Sequence, residues 1–493
     1  MGEDETSTPD DVKSAAAAAA ASGWERVSRR ARADILDRIA VALEEDRPAL
    51  VDLAHEETNL APARLAWEVG RAAEQLRFVA EVVREGGYLE VTIERSDGET
   101  PAPGSDLRRM LRPIGAVAVF GASNFPFAFS VIGNDTAAAL AAGAPVVVKG
   151  HPAHPRLSRR LAVIVREVLA DARAPVDALV LVEGFESGIA LVRHPLIRAA
   201  AFTGSTAGGR ALFDAAVSRP DPIPFYGELG SVNPVVISPA AAAGRAGEIG
   251  AGLAGVLARD GGQACTKPGL VFLPSGSAIE AEVEGALRPT EPQRLLTPGI
   301  SRAFDDGFDM LARRADTEVL LAGRAEGDAS LPRLVATDLA SFLADPSAFQ
   351  QECFGPMAVL VRYPPDAWEA ELPAALGLLE GSLTATLWGA RDAGAGVADD
   401  EAFAAIAAIL AHGAGRVVFD EWPLAVPISW AQHHGGPWPS TVGSVHSSVG
   451  ATSLRRFLVP VAYQNAPERM LPPELRAVNP TGAPRRIDGG SVA

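Results

Sequence analysis

The chain is poor in cysteine and in basic residues, and each shortage argues against certain classes of function. Only Cys265 and Cys353 are cysteines among 493 residues, which is too few for a disulfide framework and gives no CxxC or Cys/His cluster for a metal. The 44 Lys and Arg residues are outnumbered by 61 Asp and Glu, and the formal charge of −17 argues against nucleic acid or an anionic membrane as the main partner. A protein of a reducing compartment is therefore predicted.

Long apolar runs are also missing. The alanine run at residues 15–21 is far shorter than the ~20 residues that a membrane-spanning helix needs, so it predicts a first surface helix instead. The N-terminal segment MGEDETSTPDD is acidic, whereas a signal peptide begins with basic residues. We therefore expect a cytoplasmic protein without a membrane partner.

The periodicity of the chain predicts an α/β fold. Residues 12–88 have apolar residues at helical spacing, whereas residues 89–112 alternate and then turn, as a strand does that leaves the first body and returns. From residue 113, short runs such as AVAVF, PVVVK and ALVLV alternate with helical segments, and a second such region spans residues 231–440. This alternation is typical of βαβ units with parallel sheets. The apolar run at residues 456–463 predicts one more strand.

Three polar residues are candidates for catalysis, each with an ordinary structural alternative. Cys265 lies in the loop GGQACT, although a lone cysteine is more often a small buried residue. Glu228, in GELG, follows an apolar stretch where burial would raise the pKa of a general base; a helix cap or turn is the alternative. Asn124 follows AVAVF, where its amide N–H would stabilise an oxyanion or simply form a turn.

Three further segments are candidates for binding a nucleotide. Lys149 ends the strand VVVK, where a cation suits a ribose or phosphate, or else extends to solvent. The turn FTGSTAGG leads into a helix whose N-terminus can bind phosphate, although it matches neither GxGxxG nor a Walker motif. The segment ECFGP, taken alone, is a turn that carries Glu352 and an aromatic ring.

In this order, NFP, VVVK, FTGST, GELG, GQACT and ECFGP resemble the landmarks of the aldehyde dehydrogenase superfamily. GASNFPFAFS, KGHPAHP and HHGGPWPST resemble its α-ketoglutaric semialdehyde (2,5-dioxopentanoate) dehydrogenase branch, and the resemblance spans residues 12–480. It implies a Rossmann-type cofactor domain (1–88 and 113–230), an α/β catalytic domain (231–440) and a small β oligomerisation element (89–112 and 441–480). A homodimer or homotetramer is implied, and the Gly/Pro/Arg-rich residues 481–493 are predicted to be a disordered tail.

The resemblance implies a role for each candidate. Cys265 would be the nucleophile, Asn124 would hold the oxyanion, and Glu228 would activate the water that releases the acid. The implied cofactor-binding residues are Lys149 at the adenosine ribose, Gly204, Ser205 and Gly209 at the pyrophosphate, Glu352 and Phe354 at the nicotinamide, and Phe120 and Gly121 after the first strand. The implied residues for an aldehyde substrate are Phe127, Ala264 and Thr266, and no metal is implied.

The choice between NAD and NADP has a physical basis in the sequence. NAD-preferring relatives often carry a glutamate three residues after the strand-end lysine, where it binds the ribose hydroxyls, but this chain has Pro152 there. Without that carboxylate the 2′-phosphate of NADP meets no repulsion, and Lys149 attracts it. We therefore predict NADP in preference to NAD.

The identity of the aldehyde is less well defined. Ala264 precedes the nucleophile where a phenylalanine is usual, and Lys267, Asn134 and the pair Val445-His446 also depart from the branch. A bulkier or less acidic aldehyde is therefore a hypothesis beside the semialdehyde. The adjacent residues His433 and His434 are predicted to be structural or exposed rather than metal ligands.

Two other functions remain as alternatives. A CoA-acylating aldehyde dehydrogenase transfers the acyl group to a thiol, but such relatives generally lack the base that Glu228 supplies here. A non-catalytic homologue kept for binding or structure would be signalled by the loss of Cys265, Glu228 or Asn124, and all three are present.

Overall fold

The computed structural model describes residues 6–95, 105–324, 329–390 and 398–492. Thr8 and Asp11 form a capping box that begins the first helix, and helices two and four pack lengthwise through residues such as Leu36 and Val79. The predicted N-terminal helices are confirmed, although several of the alanines in the first are buried. These helices and the two strands after them are α1 (Pro9–Ala21), α2 (Arg29–Glu45), α3 (Arg47–Thr58), α4 (Pro62–Glu85), β1 (Val91–Glu94) and β2 (Leu107–Pro113).

A parallel five-stranded sheet follows, built from apolar strands that alternate with helices as the sequence predicts. Its elements are β3 (Ala116–Phe120), α5 (Asn134–Ala142), β4 (Val146–Lys149), α6 (Pro155–Asp171), β5 (Leu179–Val182), α7 (Phe185–Arg193), β6 (Ile197–Thr203), α8 (Thr206–Val217) and β7 (Phe225–Glu228). The strand order is β5-β4-β3-β6-β7. The order reverses between β3 and β6, and ligands bind such sheets outside the carboxyl ends of the strands at that point.

The second sheet has eight strands and contains the predicted runs LVFLP, MAVLVRY and TATLW. Its order is β10-β12-β13-β9-β8-β14-β15, with β11 paired to β12, and the central strands are parallel. The elements are β8 (Val235–Ile237), α9 (Pro239–Ala258), β9 (Leu270–Pro274), α10 (Ile279–Leu287), β10 (Gln293–Arg294), α11 (Pro298–Ala312), β11 (Glu318–Arg324), β12 (Ala329–Asp338), α12 (Leu339–Ala344), β13 (Met357–Tyr363), α13 (Glu371–Leu376), β14 (Ser382–Trp388), α14 (Ala398–Gly413) and β15 (Ala414–Phe419).

A small third sheet differs from the sequence-based prediction in two places. Its order is β16-β2-β1-β17-β18, where β16 is Leu458–Gln464, β17 is Arg485–Ile487 and β18 is Gly490–Val492. The expected disordered tail is wrong for β17 and β18, because β17 pairs with the distant strand β1, a contact that local composition does not show. Ala493 and the predicted turn at residues 96–104 lie outside the described residues.

The second correction concerns residues 441–457, which were expected in the small sheet. Thr441 instead forms an antiparallel bridge with Glu228, and the backbone N–H of Val442 donates to Gly227 (3.0 Å). This stretch therefore lies along β7, beside the candidate site, and only the later residues join the small sheet. Among the described residues no helix is long and apolar enough to cross a membrane.

Candidate active site

The loop that carries Cys265 has an unusual backbone. Asp260, Gly261 and Gly262 all have positive φ angles (53°, 64° and 66°), a conformation that favours glycine. A Cβ atom on Gly262 would lie 2.4 Å from the carbonyl oxygen of Gly355. The nucleophile loop thus packs backbone to backbone against the segment that contains Glu352, and a side chain at residue 262 would force the two apart.

Asn233 anchors this loop and is not among the residues predicted from the sequence. Its amide nitrogen donates to the carbonyl oxygens of Cys265 (2.8 Å) and Lys267 (3.0 Å). Its amide oxygen accepts from the hydroxyl of Ser231 (2.8 Å) and from the backbone N–H of Thr384 (3.2 Å). A buried side chain with partners on both atoms is rigid, so Asn233 fixes the backbone of the nucleophile relative to β14.

Asn124 contacts the loop that carries Cys265, and its role as an oxyanion donor stays a prediction. Its amide nitrogen donates to the carbonyl oxygen of Gln263, two residues before Cys265, at 3.0 Å. Arg64 donates to the carbonyl oxygen of Asn124 (2.8 Å) and so fixes its backbone. One amide N–H of Asn124 is thereby used, and the other is the donor that a developing oxyanion would need.

Glu228 ends β7 and is hydrogen-bonded on both carboxylate oxygens. Its Oε1 accepts from His434 Nε2 (3.0 Å) and its Oε2 accepts from the hydroxyl of Ser448 (2.7 Å), while the residue is only 5% exposed. Burial alone would raise the pKa of Glu228, as the sequence analysis expected. That expectation is wrong for the net effect, because the contacts with His434, Ser448 and Cys265 outweigh burial and lower the pKa below its ordinary value.

The pKa of Cys265 is shifted in the opposite direction to that of Glu228. Burial raises the pKa of its thiol well above the ordinary value, and the charge of Glu228 together with a hydrogen bond to that carboxylate raises it further. Arg71 acts in the other direction with a smaller effect. The directions of the two pKa shifts favour a thiol at Cys265 beside a carboxylate at Glu228, and one oxygen of that carboxylate lies within 4.8 Å of Sγ, where it would accept the proton of an attacking thiol.

His434 is the main functional candidate that the sequence analysis missed. Its ring is 1% exposed, with Nε2 3.0 Å from Glu228 Oε1 and 3.7 Å from Cys265 Sγ. Of the two predicted alternatives, exposed does not hold because the ring is buried, whereas a structural role stays a prediction. The available signal was its place in HHGGPWPST, a motif of the branch that this chain resembles.

Glu228, Cys265 and His434 also form a group of metal-ligand type. One carboxylate oxygen, Sγ and one ring nitrogen all lie within 4.8 Å of one another, a spacing at which a zinc ion could be held. No metal is predicted from the sequence, and that stays a prediction.

The residues predicted to bind the cofactor lie at the carboxyl ends of adjacent strands. Lys149 ends β4 and makes no hydrogen bond or ion pair within the described part of the chain; burial lowers the pKa of its ammonium group. Ser205 caps α8 by accepting from the N–H of Gly208 (3.2 Å), with Gly204 just before it. A Cβ atom on Gly209 would lie 2.1 Å from a methyl group of Leu229, so this glycine lets α8 approach the chain after β7.

Glu352, which precedes β13 of the second sheet, lies at this edge of the first sheet. A Cβ atom on Gly230 would lie 2.7 Å from the carboxylate of Glu352 and 2.9 Å from the hydroxyl of Thr206, the first residue of α8. Glu352, predicted to bind at the nicotinamide, therefore lies close to the N-terminus of α8, which is predicted to bind the pyrophosphate. One bound dinucleotide would contact both. Phe354 is half-buried beside Glu352, whereas the ring of Phe120 packs in the core, so only the backbone of Phe120 and Gly121 faces this edge.

Lys267 explains the environment of Glu352. Its ammonium group donates to the carbonyl oxygens of Met357 (2.7 Å) and Cys353 (3.4 Å) and is buried. Desolvation raises the pKa of Glu352 to about 7, although the nearby ammonium opposes this. Lys267 was counted among the departures that alter the substrate, but its side chain instead braces the segment that carries Glu352.

The residues predicted to bind the substrate differ in burial. Phe127 is 1% exposed and packs in the core around the first sheet, and its contact with substrate stays a prediction. Phe129, two residues later, is also buried, and its ring meets that of His434 edge to face at 6.2 Å. Ala264 is half-buried before Cys265, and Thr266 is buried after it.

Comparison with known proteins agrees with this geometry. The model of the aldehyde dehydrogenase family matches residues 1–393. The chain is 42% identical over 468 residues to α-ketoglutaric semialdehyde dehydrogenase 2 of Azospirillum brasilense, covering 93% of this chain and 87% of the relative. It is 37% identical over 493 residues to α-ketoglutaric semialdehyde dehydrogenase of Acinetobacter baylyi, covering 98% and 91%.

A solved structure supports the fold. The NADP-dependent glyceraldehyde-3-phosphate dehydrogenase of Bacillus halodurans, complexed with NADP, superposes with a TM-score of 0.76 at 20% identity over 93% of this chain and 92% of that one. At that identity the likeness concerns the fold alone. The matched family and the two relatives go further: this chain belongs to the aldehyde dehydrogenase family and oxidises aldehydes with a nicotinamide cofactor.

Proposed function

We propose that the protein oxidises a semialdehyde that carries a carboxylate, such as 2,5-dioxopentanoate, to the dicarboxylic acid, with NADP as the preferred cofactor. The substrate class is inferred from the contacts of Arg71. The side chain is buried, its Nη2 donates to the carbonyl oxygen of Val426 (3.2 Å), and its Nη1 has no partner among the described residues. A buried guanidinium N–H without an acceptor is costly, and a substrate carboxylate would satisfy it.

The position of Arg71 suits an acid substrate. Its guanidinium lies 5.7 Å from the ring of Phe129, which contacts His434 beside Cys265. Its positive charge also acts on the pKa of the Cys265 thiol. An aldehyde carbonyl at Cys265 and a carboxylate at Arg71 would thus be held at opposite ends of one short substrate. Both relatives named above carry the name of such a semialdehyde.

In the first half of the proposed reaction, Cys265 passes its proton to Glu228 and attacks the aldehyde carbon. Asn124 donates to the oxyanion that forms, at the position where its second amide N–H is available. A bound nicotinamide supplies a hydride acceptor, so that the carbon is left as a thioester on Cys265. The residues fitted to hold it are Lys149, Ser205 and Glu352.

In the second half, Glu228 first releases the proton of Cys265 to solvent and then, as a carboxylate again, accepts a proton from the water that hydrolyses the thioester. The lowered pKa of Glu228 keeps it as the carboxylate that this step requires. This supports hydrolysis over transfer to coenzyme A, for which no such base is needed. Product analysis with and without coenzyme A distinguishes the two.

We expect Arg71→Gln to impair acid substrates selectively. For 4-oxobutanoate, kcat/KM should fall about 10–100-fold, since a hydrogen bond to a charged group is worth about 1.5–3 kcal/mol. For butanal, which has a methyl group in place of the carboxylate, it should change little. Arg84→Gln on the same helix is the control, because Arg84 is exposed and pairs with Asp34 and Asp37. Equal losses on both substrates, or a wild-type preference for butanal, would favour the less acidic aldehyde instead.

The preference for NADP rests on Lys149 and Pro152. Pro152 is exposed in the turn after β4, three residues after Lys149. We expect Pro152→Glu to lower kcat/KM for NADP about tenfold or more, because a carboxylate there repels the 2′-phosphate. Pro152→Gln is the neutral control. The prediction is wrong if the two variants use NADP equally well, or if the wild type uses NAD as efficiently as NADP.

The oligomeric state and the compartment stay proposals. Strand β16 forms one edge of the small sheet, and such an edge has unpaired backbone groups that can pair with another subunit. We propose a homodimer or homotetramer, which light scattering of the purified protein tests. The cytoplasmic location predicted from the sequence remains a prediction.

A further inference from the structure

We propose that His434, together with Ser448, is a positioning element that holds Glu228 in the orientation from which it activates the hydrolytic water. This inference deepens the proposed function and rests on its thioester-hydrolysis half. It assigns a role to a histidine that the motif-by-motif interpretation of the sequence left without one.

The first observation is that the two donors act on different oxygens. His434 Nε2 donates to Oε1 of Glu228 (3.0 Å), and the Ser448 hydroxyl donates to Oε2 (2.7 Å). A carboxylate held at one oxygen can still rotate about its terminal bond, whereas two donors on different oxygens fix its plane. The direction of the remaining lone pairs, which must accept the proton of water, is thereby fixed as well.

The second observation is that the two donors belong to one closed clamp, which we define as residues 434–448. The backbone N–H of His434 donates to the hydroxyl of Ser447 (2.9 Å), and the N–H of Ser448 donates to the carbonyl oxygen of His434 (2.8 Å). The clamp is also fastened to β7, because Leu229 N–H donates to the carbonyl oxygen of Ser440 (2.8 Å). The donors and Glu228 are therefore carried on the same rigid framework.

The third observation is the contact of His434 with sulfur, 3.7 Å from Nε2 to Sγ. During hydrolysis a water proton moves to Glu228, the water oxygen bonds to the acyl carbon, and the C–S bond breaks with its electron pair on sulfur. The thiolate that leaves then takes the proton from Glu228, which restores the thiol and the carboxylate. The same N–H of His434 lies within reach of both groups that exchange this proton.

A purely structural role for His434 makes a different prediction. Its ring packs edge to face on Phe129, and phenylalanine would preserve that contact. His434→Phe therefore removes the donor and keeps the ring. Gln at this position restores an N–H donor without the ring, so the two variants separate hydrogen bonding from packing.

The decisive experiment follows ester hydrolysis with p-nitrophenyl acetate, which acylates Cys265 without any cofactor. We expect His434→Phe to keep a burst of about one p-nitrophenolate per subunit while the later steady rate falls about 10–100-fold, since misplacing a catalytic group by about 1 Å costs up to 100-fold. The acetyl-enzyme should accumulate in intact mass spectra. His434→Gln should recover part of the rate, and Ser448→Ala should lose less than His434→Phe. His433→Phe, at the half-buried neighbour that does not contact Glu228, is the matched control.

A pH profile gives a second readout that packing would not change. The contact with His434 is the largest of the contributions that lower the pKa of Glu228, so the acid limb of the deacylation rate should move to higher pH in His434→Phe. The other ionisable groups around Glu228 stay in place in this variant, namely Cys265, Asp135, Arg71, Arg456, Tyr226 and His446.

Several outcomes would overturn the proposal. A wild-type deacylation rate in folded His434→Phe, or an equal fall of burst and steady rate, contradicts it. If thermal unfolding shows that this variant does not fold, Ser448→Ala decides, because His434→Gln keeps an N–H donor: a wild-type deacylation rate in Ser448→Ala contradicts the proposal. If the wild type hydrolyses the ester but oxidises no semialdehyde, the proposed function fails and the positioning role stands.

Discussion

Replacement of Cys265 by alanine is expected to abolish aldehyde oxidation, with a loss of about four orders of magnitude or more in kcat, because no other group can form the acyl-enzyme. Cofactor binding should be retained, since Lys149, Ser205 and Glu352 lie on other segments. The measurement is steady-state NADPH formation, combined with fluorescence titration of the cofactor.

Cys353→Ala is the matched control for this variant. Cys353 is the only other cysteine, and its Sγ packs in the core of the catalytic domain, where a Cβ atom on Gly307 would come within 2.7 Å of it. Its removal should lower stability slightly and leave the chemistry intact. Iodoacetamide should inactivate the wild type and Cys353→Ala alike, with the label on Cys265. Full activity in Cys265→Ala would exclude the cysteine mechanism altogether.

The site residues that the sequence could predict lie at or just after the carboxyl ends of strands. Asn124, Lys149 and Glu228 each follow an apolar run, and parallel strands bring their carboxyl ends to one edge, so their convergence follows from the fold class. Cys265 needed more than its own context, because nothing local distinguishes a catalytic cysteine from a buried one. The family resemblance of the surrounding segments supplied that.

The residues that were missed depend on contacts between distant parts of the chain. His434 meets Glu228 across 206 positions, and Asn233 reaches the nucleophile loop across 32. Both lie in irregular segments, where no period shows which side chain faces inward. The same reason accounts for the C-terminal tail, where β17 pairs with the distant strand β1. A local sequence pattern predicts helices and strands, whereas contacts between distant loops depend on how the whole chain packs.

Glu228→Gln is expected to stop the reaction at the thioester. Without the carboxylate, no group accepts the proton of the hydrolytic water, so turnover should fall about 100–10,000-fold, the usual range for loss of a general base. The thioester should persist and be visible as a stable mass increase on Cys265 after one round of NADPH formation. A variant that releases acid at the wild-type rate would remove Glu228 from the mechanism.

The nucleophile in the same variant should become more reactive towards alkylation. After burial, the charge of Glu228 and its hydrogen bond are the largest causes of the raised thiol pKa, and glutamine removes the charge. The pKa should therefore fall, and the rate of iodoacetamide labelling at pH 8 should rise about tenfold for each unit of that fall. Labelling is measured in the Cys353→Ala background so that only Cys265 reports. Slower labelling in Glu228→Gln would mean that the carboxylate ionises the thiol in the free enzyme. Faster labelling would mean that Glu228 keeps the thiol protonated until substrate arrives, so that Cys265 of the free enzyme reacts more slowly with alkylating reagents.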